Sequence, residues 1–132
     1  MREIIRPPGS PGWGLPLAAG VATESLIFVG GHTALEEGNR TDLGDVRAQT
    51  RRVLDKIAAV LVAGGASLTD VVQTTVWLSE RDDFTAMNDV YAEYFDASPP
   101  ARSTVVSMLV YPELLVEINA IAVRPASAQP DR

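Results

Sequence analysis

The order of apolar segments along this chain constrains its fold more than any other feature of the sequence. Four short segments rich in β-branched residues alternate with two segments whose apolar residues recur at helical spacing, in the order β(β)αβαββ. A single sheet covered on one face by two helices is the simplest arrangement that buries these residues, which predicts an α+β fold. The predicted strands are residues 25–30, 71–78, 103–109 and 115–123.

The two helical segments begin and end at residues that typically bound helices. Asp45 is an N-cap candidate for the first segment, and Gly64-Gly65 ends it. Asp82-Asp83 supplies acidic residues at the start of the second segment, and Ser98-Pro99-Pro100 prevents its continuation. Because two helices cover only one face of a sheet, apolar residues on the other face predict self-association.

The length and composition suit one domain. The chain has 132 residues, of which 46% are hydrophobic and 21% charged, and we expect a single domain over residues 1–132. Residues 6–16 contain four prolines and three glycines, so they form neither a helix nor a central strand. We therefore expect an N-terminal arm at residues 1–14 and a flexible tail at residues 125–132.

Charge and residue usage argue against several classes of function. The net charge of −6 opposes binding to nucleic acid or anionic membranes, because phosphates would meet a like-charged surface. The chain has no cysteine and one histidine, His32, which provides no thiol nucleophile and little for a metal site. Lys56 is the only lysine, so Schiff-base chemistry would depend on it. No segment has the apolar length of a signal peptide or membrane span, and we expect a cytoplasmic protein.

Two charged residues occur in β-rich segments whose other residues are mainly apolar. Arg102 lies at the start of one segment, and Glu117 lies inside another. A carboxylate there must reach solvent, form an ion pair or have a raised pKa, because burying an unpaired charge is unfavourable. One interpretation is a structural Arg102–Glu117 pair or an exposed sheet face. The other is a pocket in which Arg102 binds a substrate carboxylate and Glu117 handles a proton or water.

Three further positions allow both a structural and a functional interpretation. Gly30-Gly31 follows a strand, as in a tight strand exit, but lacks the other glycines of a dinucleotide-binding motif. Asn88 is a polar residue beside the apolar face of the second helix, where it is either a surface amide or part of a site. His32 is either a general base or an ordinary hydrogen-bonding loop residue.

Five segments of the chain have the order and spacing of a known family. The most specific are Pro99-Pro-Ala-Arg-Ser103 and Val116-Glu-Ile-Asn-Ala-Ile-Ala122, and the others are residues 28–32, 65–78 and 83–95. With these motifs, residues 15–124 resemble the RidA/YjgF family of reactive-intermediate deaminases.

The resemblance implies a chorismate-mutase-like (YjgF) fold, in which one mixed sheet is packed on one face by two helices. It also implies a homotrimer with clefts between adjacent subunits. Family members with the arginine hydrolyse reactive imines and enamines such as 2-aminoacrylate to 2-keto acids and ammonia, without a metal or organic cofactor. We therefore expect a 2-iminobutanoate/2-iminopropanoate deaminase-like hydrolase whose partners are a small imine, enamine or keto acid and further copies of the chain.

The resemblance assigns catalytic roles to two residues. Arg102 matches the arginine that holds the substrate carboxylate in a bidentate fork, a geometry that lysine does not reproduce. Glu117 matches the carboxylate that positions or activates the attacking water.

The remaining expected pocket residues include several departures from the family pattern. Gly30-Gly31 matches a Ser-Gly pair, and Thr104 stands where many members have a cysteine. Leu17 replaces a common tyrosine, and His32 replaces a glutamine. Asn88 matches a helix asparagine that supports the site. The substitutions keep the arginine but alter its surroundings, and the loss of polar bulk at Leu17 and Gly30 allows a larger substrate.

Two other functions fit the same residues. A non-catalytic or regulatory member of the fold would bind a small carboxylate or keto acid in the same clefts, which requires Arg102 but not Glu117. A third possibility keeps the fold and changes the reaction, for example to a related step on an unsaturated amino-acid derivative.

Overall fold

One mixed sheet organises the computed structural model, which describes residues 1–10, 14–36 and 39–129. Its strands are β1 Glu3–Ile5, β2 Gly20–Ala22, β3 Leu26–His32, β4 Val71–Leu78, β5 Ala101–Val106 and β6 Val116–Val123. They lie in the order β1-β2-β3-β6-β4-β5, and every pair is antiparallel except the parallel pair β4–β5. The helices are α1 Val46–Ala63 and α2 Phe84–Tyr94, and short 3-10 turns span Leu68–Asp70, Arg81–Asp83 and Ala126–Ala128.

Both helices pack on the same face of the sheet and form the main hydrophobic core with it. On β6, every second residue is buried in this core, while Glu117 and Asn119 alternate with them on the opposite face. The buried residues of β6 are Val116, Ile118, Ala120 and Ala122. The predicted α+β architecture is confirmed.

Two strands have different bounds from those predicted. β5 runs from residue 101 to residue 106, whereas the sequence predicted residues 103–109. β3 continues past Gly30 to His32, because one extra residue is inserted between the Val29–Ala120 and His32–Ile118 pairs. Gly30-Gly31 therefore forms a β-bulge within a strand rather than a strand exit.

The expected N-terminal arm contains a strand at its start. β1 pairs with β2, and Ile5 is buried in the main core, so the prediction of an arm is wrong for residues 3–5. The buried Arg124 holds this strand in place, with Nη1 3.3 Å from Glu3 Oε2 and Nε donating to Gly64 O at 3.2 Å. Residues 11–13 of the expected arm lie outside the described residues.

The expected tail begins with an ordered turn. Ala126–Ala128 forms one 3-10 turn, and Gln129 Nε2 donates to Arg124 O at 3.0 Å. Residues 130–132 lie outside the part of the chain that the structure describes.

The second face of the sheet carries no helix among the described elements. Its apolar side chains include Ile4, Phe28, Val105 and Val123, each between 42% and 46% exposed. An apolar surface of this kind favours association with another copy or partner. Within the described ranges, neither helix has the length and apolarity required to cross a membrane.

Replacement of the α1 cap tests the local basis of the fold. The Asp45 side chain accepts a hydrogen bond from the Ala48 N–H at 2.9 Å, whereas Asp83, at the N-cap of α2, makes no such bond. We expect Asp45→Ala to lower the free energy of unfolding by about 1 kcal/mol, and Asp83→Ala to change it by a few tenths at most. Guanidinium denaturation at one protein concentration measures both; equal losses would contradict the capping role.

Candidate functional site

Arg102 lies on the edge strand β5, on the face of the sheet that the helices cover. In the parallel register it pairs with the buried Thr74, which fixes the direction of its side chain. Its guanidinium carbon is 4.7 Å from the ring centroid of Tyr91 and 5.9 Å from that of Phe84. Among the described residues, no carboxylate oxygen lies within 4.0 Å of the guanidinium nitrogens of Arg102. The guanidinium is therefore free to bind an anionic ligand.

Thr104 and Asn88 lie on the same side of the sheet as Arg102. Thr104 pairs with the buried Val76, which directs it towards the helix-covered face. Asn88 lies between Phe84 and Tyr91 on α2, and its Oδ1 is buried without a hydrogen-bond partner among the described residues. We call Arg102, Thr104, Phe84, Asn88 and Tyr91 the Arg102 group. The role of the two aromatic residues was not predicted, although their spacing of seven residues on a helix is a signal for a shared face.

Glu117 lies on the opposite, helix-free face of the sheet. It pairs with Trp77 across β4 and β6, and its carboxylate is directly above Gly31. A Cβ atom at position 31 would overlap Glu117 Oε2, so a side chain at this position would displace the carboxylate from where it lies now. Burial raises the pKa of Glu117 above its ordinary value. The carboxylate makes no hydrogen bond or ion pair with the described part of the chain that would offset this burial.

Two hydrogen bonds at the Gly30-Gly31 bulge join β3 to the segment before β2, which carries Leu17. The Gly30 N–H donates to Ala19 O at 3.0 Å, and His32 Nε2 donates to the same oxygen at 3.0 Å. Burial is the main cause that lowers the pKa of His32, so the ring is neutral at physiological pH. Leu17, two residues before Ala19 in the sequence, is 68% exposed. His32 pairs with the buried Ile118 of β6, which directs its side chain to the helix-covered face, away from Glu117. We call Leu17, Gly30, Gly31 and Glu117 the Glu117 group.

The two groups lie apart in a single chain. Arg102 pairs with Thr74 and Glu117 with Trp77, so two strand spacings and three residues along β4 separate them. This corresponds to about 14 Å between their Cα atoms, with side chains on opposite faces. The structural Arg102–Glu117 ion pair considered from the sequence is therefore wrong within one chain. One small molecule reaches both residues only if they come from different copies.

Lys56 is engaged elsewhere. Its Nζ donates to Thr33 O at 2.8 Å and Leu35 O at 2.7 Å, and lies 3.6 Å from Glu36 Oε1. It lines a groove of about 540 Å³ on the outer surface of α1. Two arginines of this groove form ion pairs, Arg51 with Glu93 and Arg52 with Glu36. None of the predicted site residues lines this groove.

The two groups offer a guanidinium without a carboxylate partner among the described residues and a carboxylate of raised basicity. Such a pair can bind a carboxylic acid and accept a proton from water. Among the described residues, no cluster of three or more histidine, aspartate or glutamate side chains could hold a metal ion.

Comparison with known proteins identifies the family. The model of the family described as endoribonuclease L-PSP matches residues 15–124. The chain belongs to this family, the RidA/YjgF family. The resemblance drawn from the sequence motifs is thereby confirmed, and with it the YjgF-type fold.

Relatives within the family match nearly the whole chain. A RutC family protein of Pyrococcus horikoshii is 38% identical over 123 residues, which cover 92% of this chain and 98% of that protein. The 3-aminoacrylate deaminase RutC of Acinetobacter baylyi is 39% identical over 122 residues, covering 92% and 97% of the two chains. The crystal structure of E. coli TdcF with bound serine has a TM-score of 0.84 at 33% identity, covering 93% of this chain and 99% of that one.

The raised pKa of Glu117 predicts that Glu117→Gln stabilises the protein. Because its pKa is raised on folding, the folded state holds the proton more tightly than the unfolded state. Ionised Glu117 therefore destabilises the fold at neutral pH, and this effect declines as the pH falls from the raised pKa of the folded state to the ordinary glutamate pKa of 4.5. We expect a higher Tm for the variant at pH 7 and a smaller gain at pH 4, by scanning calorimetry.

Glu113→Gln is the matched control. Glu113 is exposed and its pKa is lowered, mainly by a backbone hydrogen bond, so its neutralisation has no stabilising effect at pH 7. An equal rise in Tm for both variants would show a general effect of net charge instead.

Proposed function

We propose that this protein hydrolyses imines and enamines of small carboxylic acids, of the 2-aminoacrylate type, to keto acids and ammonia. The proposal depends on one observation above all: the Arg102 guanidinium has no carboxylate partner in the described chain. A planar fork of this kind binds a substrate carboxylate through two parallel hydrogen bonds. The similarity to a relative named 3-aminoacrylate deaminase supports the same reaction class.

Glu117 supplies the proton acceptor for this reaction. An enamine takes a proton on carbon to become an imine, whose carbon is electrophilic once the nitrogen is protonated. Water adds to that carbon while Glu117 accepts one of its protons. The nitrogen of the resulting carbinolamine then takes a proton, the C–N bond breaks with its electron pair on ammonia, and loss of the hydroxyl proton leaves the keto acid. The raised pKa of Glu117 makes its carboxylate a stronger base.

We further propose that each active site is a cleft shared by two copies in a homotrimer. Arg102 and Glu117 point to opposite faces of one sheet, so a site that uses both takes one from each of two copies. The exposed apolar side chains of the helix-free face supply a surface for such association. The other residues of the two groups, including Thr104, Asn88 and Leu17, would then line the cleft.

Two alternatives share the carboxylate site. The name of the Acinetobacter baylyi relative favours a 3-enamino acid, in which the nitrogen is one carbon further from the carboxylate. A non-catalytic protein that binds a keto acid would need only the Arg102 group. Substrates of both types and separate binding measurements distinguish these possibilities.

The family description also names an endoribonuclease, and the charge of this chain argues against that activity. The net charge of −6 repels the phosphates of RNA. The single histidine donates its Nε2 proton to Ala19 O, which occupies one of its two nitrogens.

Turnover by single variants tests the proposed roles. Imines are generated in situ from small, branched and aromatic amino acids by an amino-acid oxidase, and ammonia and keto acid are measured; 3-aminoacrylate is assayed in parallel. We expect Arg102→Lys to lower kcat/KM by about 10- to 100-fold through loss of the bidentate contact. We expect Glu117→Gln to lower kcat by about 100-fold or more, with the Kd for pyruvate nearly unchanged.

Arg40→Lys and Glu113→Gln provide controls of the same chemistry, because these residues form an exposed ion pair with each other. Both should retain full turnover. Pyruvate binding without turnover of any substrate by the wild type would favour the non-catalytic alternative, whereas the absence of both would refute the carboxylate site.

Mixing two inactive variants tests the shared cleft. In a 1:1 mixture of Arg102→Ala and Glu117→Gln chains, every mixed trimer contains one cleft with an intact Arg102 and an intact Glu117. Random assembly therefore restores about one quarter of wild-type activity. Joint refolding followed by assay measures this recovery, and separately refolded variants serve as controls. A mixture that stays inactive although mass spectrometry detects mixed trimers would exclude the shared site.

A further inference from the structure

The Arg102 side chain is held by aromatic rings rather than by a counter-ion. Its guanidinium lies over the Tyr91 ring at 4.7 Å and near the Phe84 ring at 5.9 Å, both within the range of cation–π attraction. A flexible arginine on an edge strand loses conformational freedom when it binds a ligand, and a surface that orders it beforehand reduces that loss.

Tyr91 is itself fixed at its hydroxyl and at its ring. The Tyr91 hydroxyl oxygen lies 2.7 Å from Thr74 Oγ1, and both residues are buried. The ring packs against Phe95 with a centroid distance of 4.8 Å. Thr74 is also the residue that pairs with Arg102 between β4 and β5, so the arginine backbone and its aromatic support are both tied to one residue.

The surroundings of Tyr91 keep its hydroxyl protonated. Burial raises the pKa of Tyr91, while Thr74 and Arg102 lower it by hydrogen bonding and charge, and the phenol is neutral at physiological pH. A neutral phenol and a threonine hydroxyl can each donate or accept, so either residue can be the donor in the 2.7 Å hydrogen bond between them.

We propose that Tyr91 and Thr74 are positioning residues for Arg102, with the Thr74–Tyr91 hydroxyl pair fixing the ring on which the guanidinium rests. The proposal rests on the carboxylate-binding role proposed for Arg102. It predicts that loss of either hydroxyl weakens carboxylate binding through Arg102, although neither residue needs to contact the ligand.

Pyruvate binding and imine turnover test this proposal in a set of matched variants. Tyr91→Phe keeps the ring and removes the hydroxyl, and Thr74→Val removes its partner. We expect about fivefold weaker pyruvate binding by titration calorimetry for each, with a matching rise in KM and a smaller change in kcat. Thr74→Ser, which retains the hydroxyl, should restore binding to within about twofold.

Tyr94→Phe is the control on the same helix. Its hydroxyl donates to Asp55 Oδ1 at 2.8 Å, and it makes no ring contact with Arg102, so binding and KM should not change. In an Arg102→Ala background, Tyr91→Phe should have no further effect on the residual binding. Wild-type binding by Tyr91→Phe, or an equal loss with and without Arg102, would overturn the proposal.

A measurement without substrate separates this proposal from the proposed function. The Nε–H resonance of Arg102, assigned by its disappearance in Arg102→Lys, reports the order of the side chain directly. We expect a sharp signal in the wild type and in Tyr94→Phe, and a broadened one in Tyr91→Phe and Thr74→Val. If that pattern holds while the wild type neither binds pyruvate nor hydrolyses imines, the proposed function fails and the positioning role stands. Unchanged signals in all variants would overturn the positioning role.

Discussion

A β-strand presents its side chains alternately to two faces, and in this chain the helices cover only one of them. The placement of the two charged residues of the candidate site follows from this asymmetry. On the covered face, Arg102 meets the aromatic residues of α2, whereas on the other face Glu117 has no helix above it. The same alternation that builds the core also separates the two charged groups that the proposed chemistry requires.

The two charged groups are prepared for function in different ways. Arg102 keeps its charge whatever its surroundings, so its environment acts on orientation, through aromatic rings that do not neutralise it. Glu117 has an ordinary side chain whose basicity is changed by burial alone, and its carboxylate occupies space that a side chain at position 31 would take. Neither residue is paired with an opposite charge in the described chain, which leaves both available to a ligand.

Local patterns explain how much of this was predictable from the sequence. The alternation of residues 115–123 and the helical spacing after Asp45 are short-range signals, and the structure follows them. A charge inside an apolar strand is equally visible, which is why Arg102 and Glu117 could be singled out. Their placement on opposite faces depends on the register of β4 with β5 and β6, which joins residues far apart in the chain. The bulge at Gly30-Gly31, the three-residue strand β1 and the Thr74–Tyr91 contact likewise depend on tertiary pairing and have no periodic signature.

The anchoring of Lys56 has a consequence for the chemical durability of the protein. Keto acids and aldehydes modify proteins mainly by condensing with free amines, and electrophilic alkenes do so by adding to thiols. This chain has no thiol, and its only lysine directs its ammonium group to two backbone carbonyls. The side chains of this protein therefore offer the carbonyl compounds that it is proposed to release a single amine, which already donates to two backbone carbonyls.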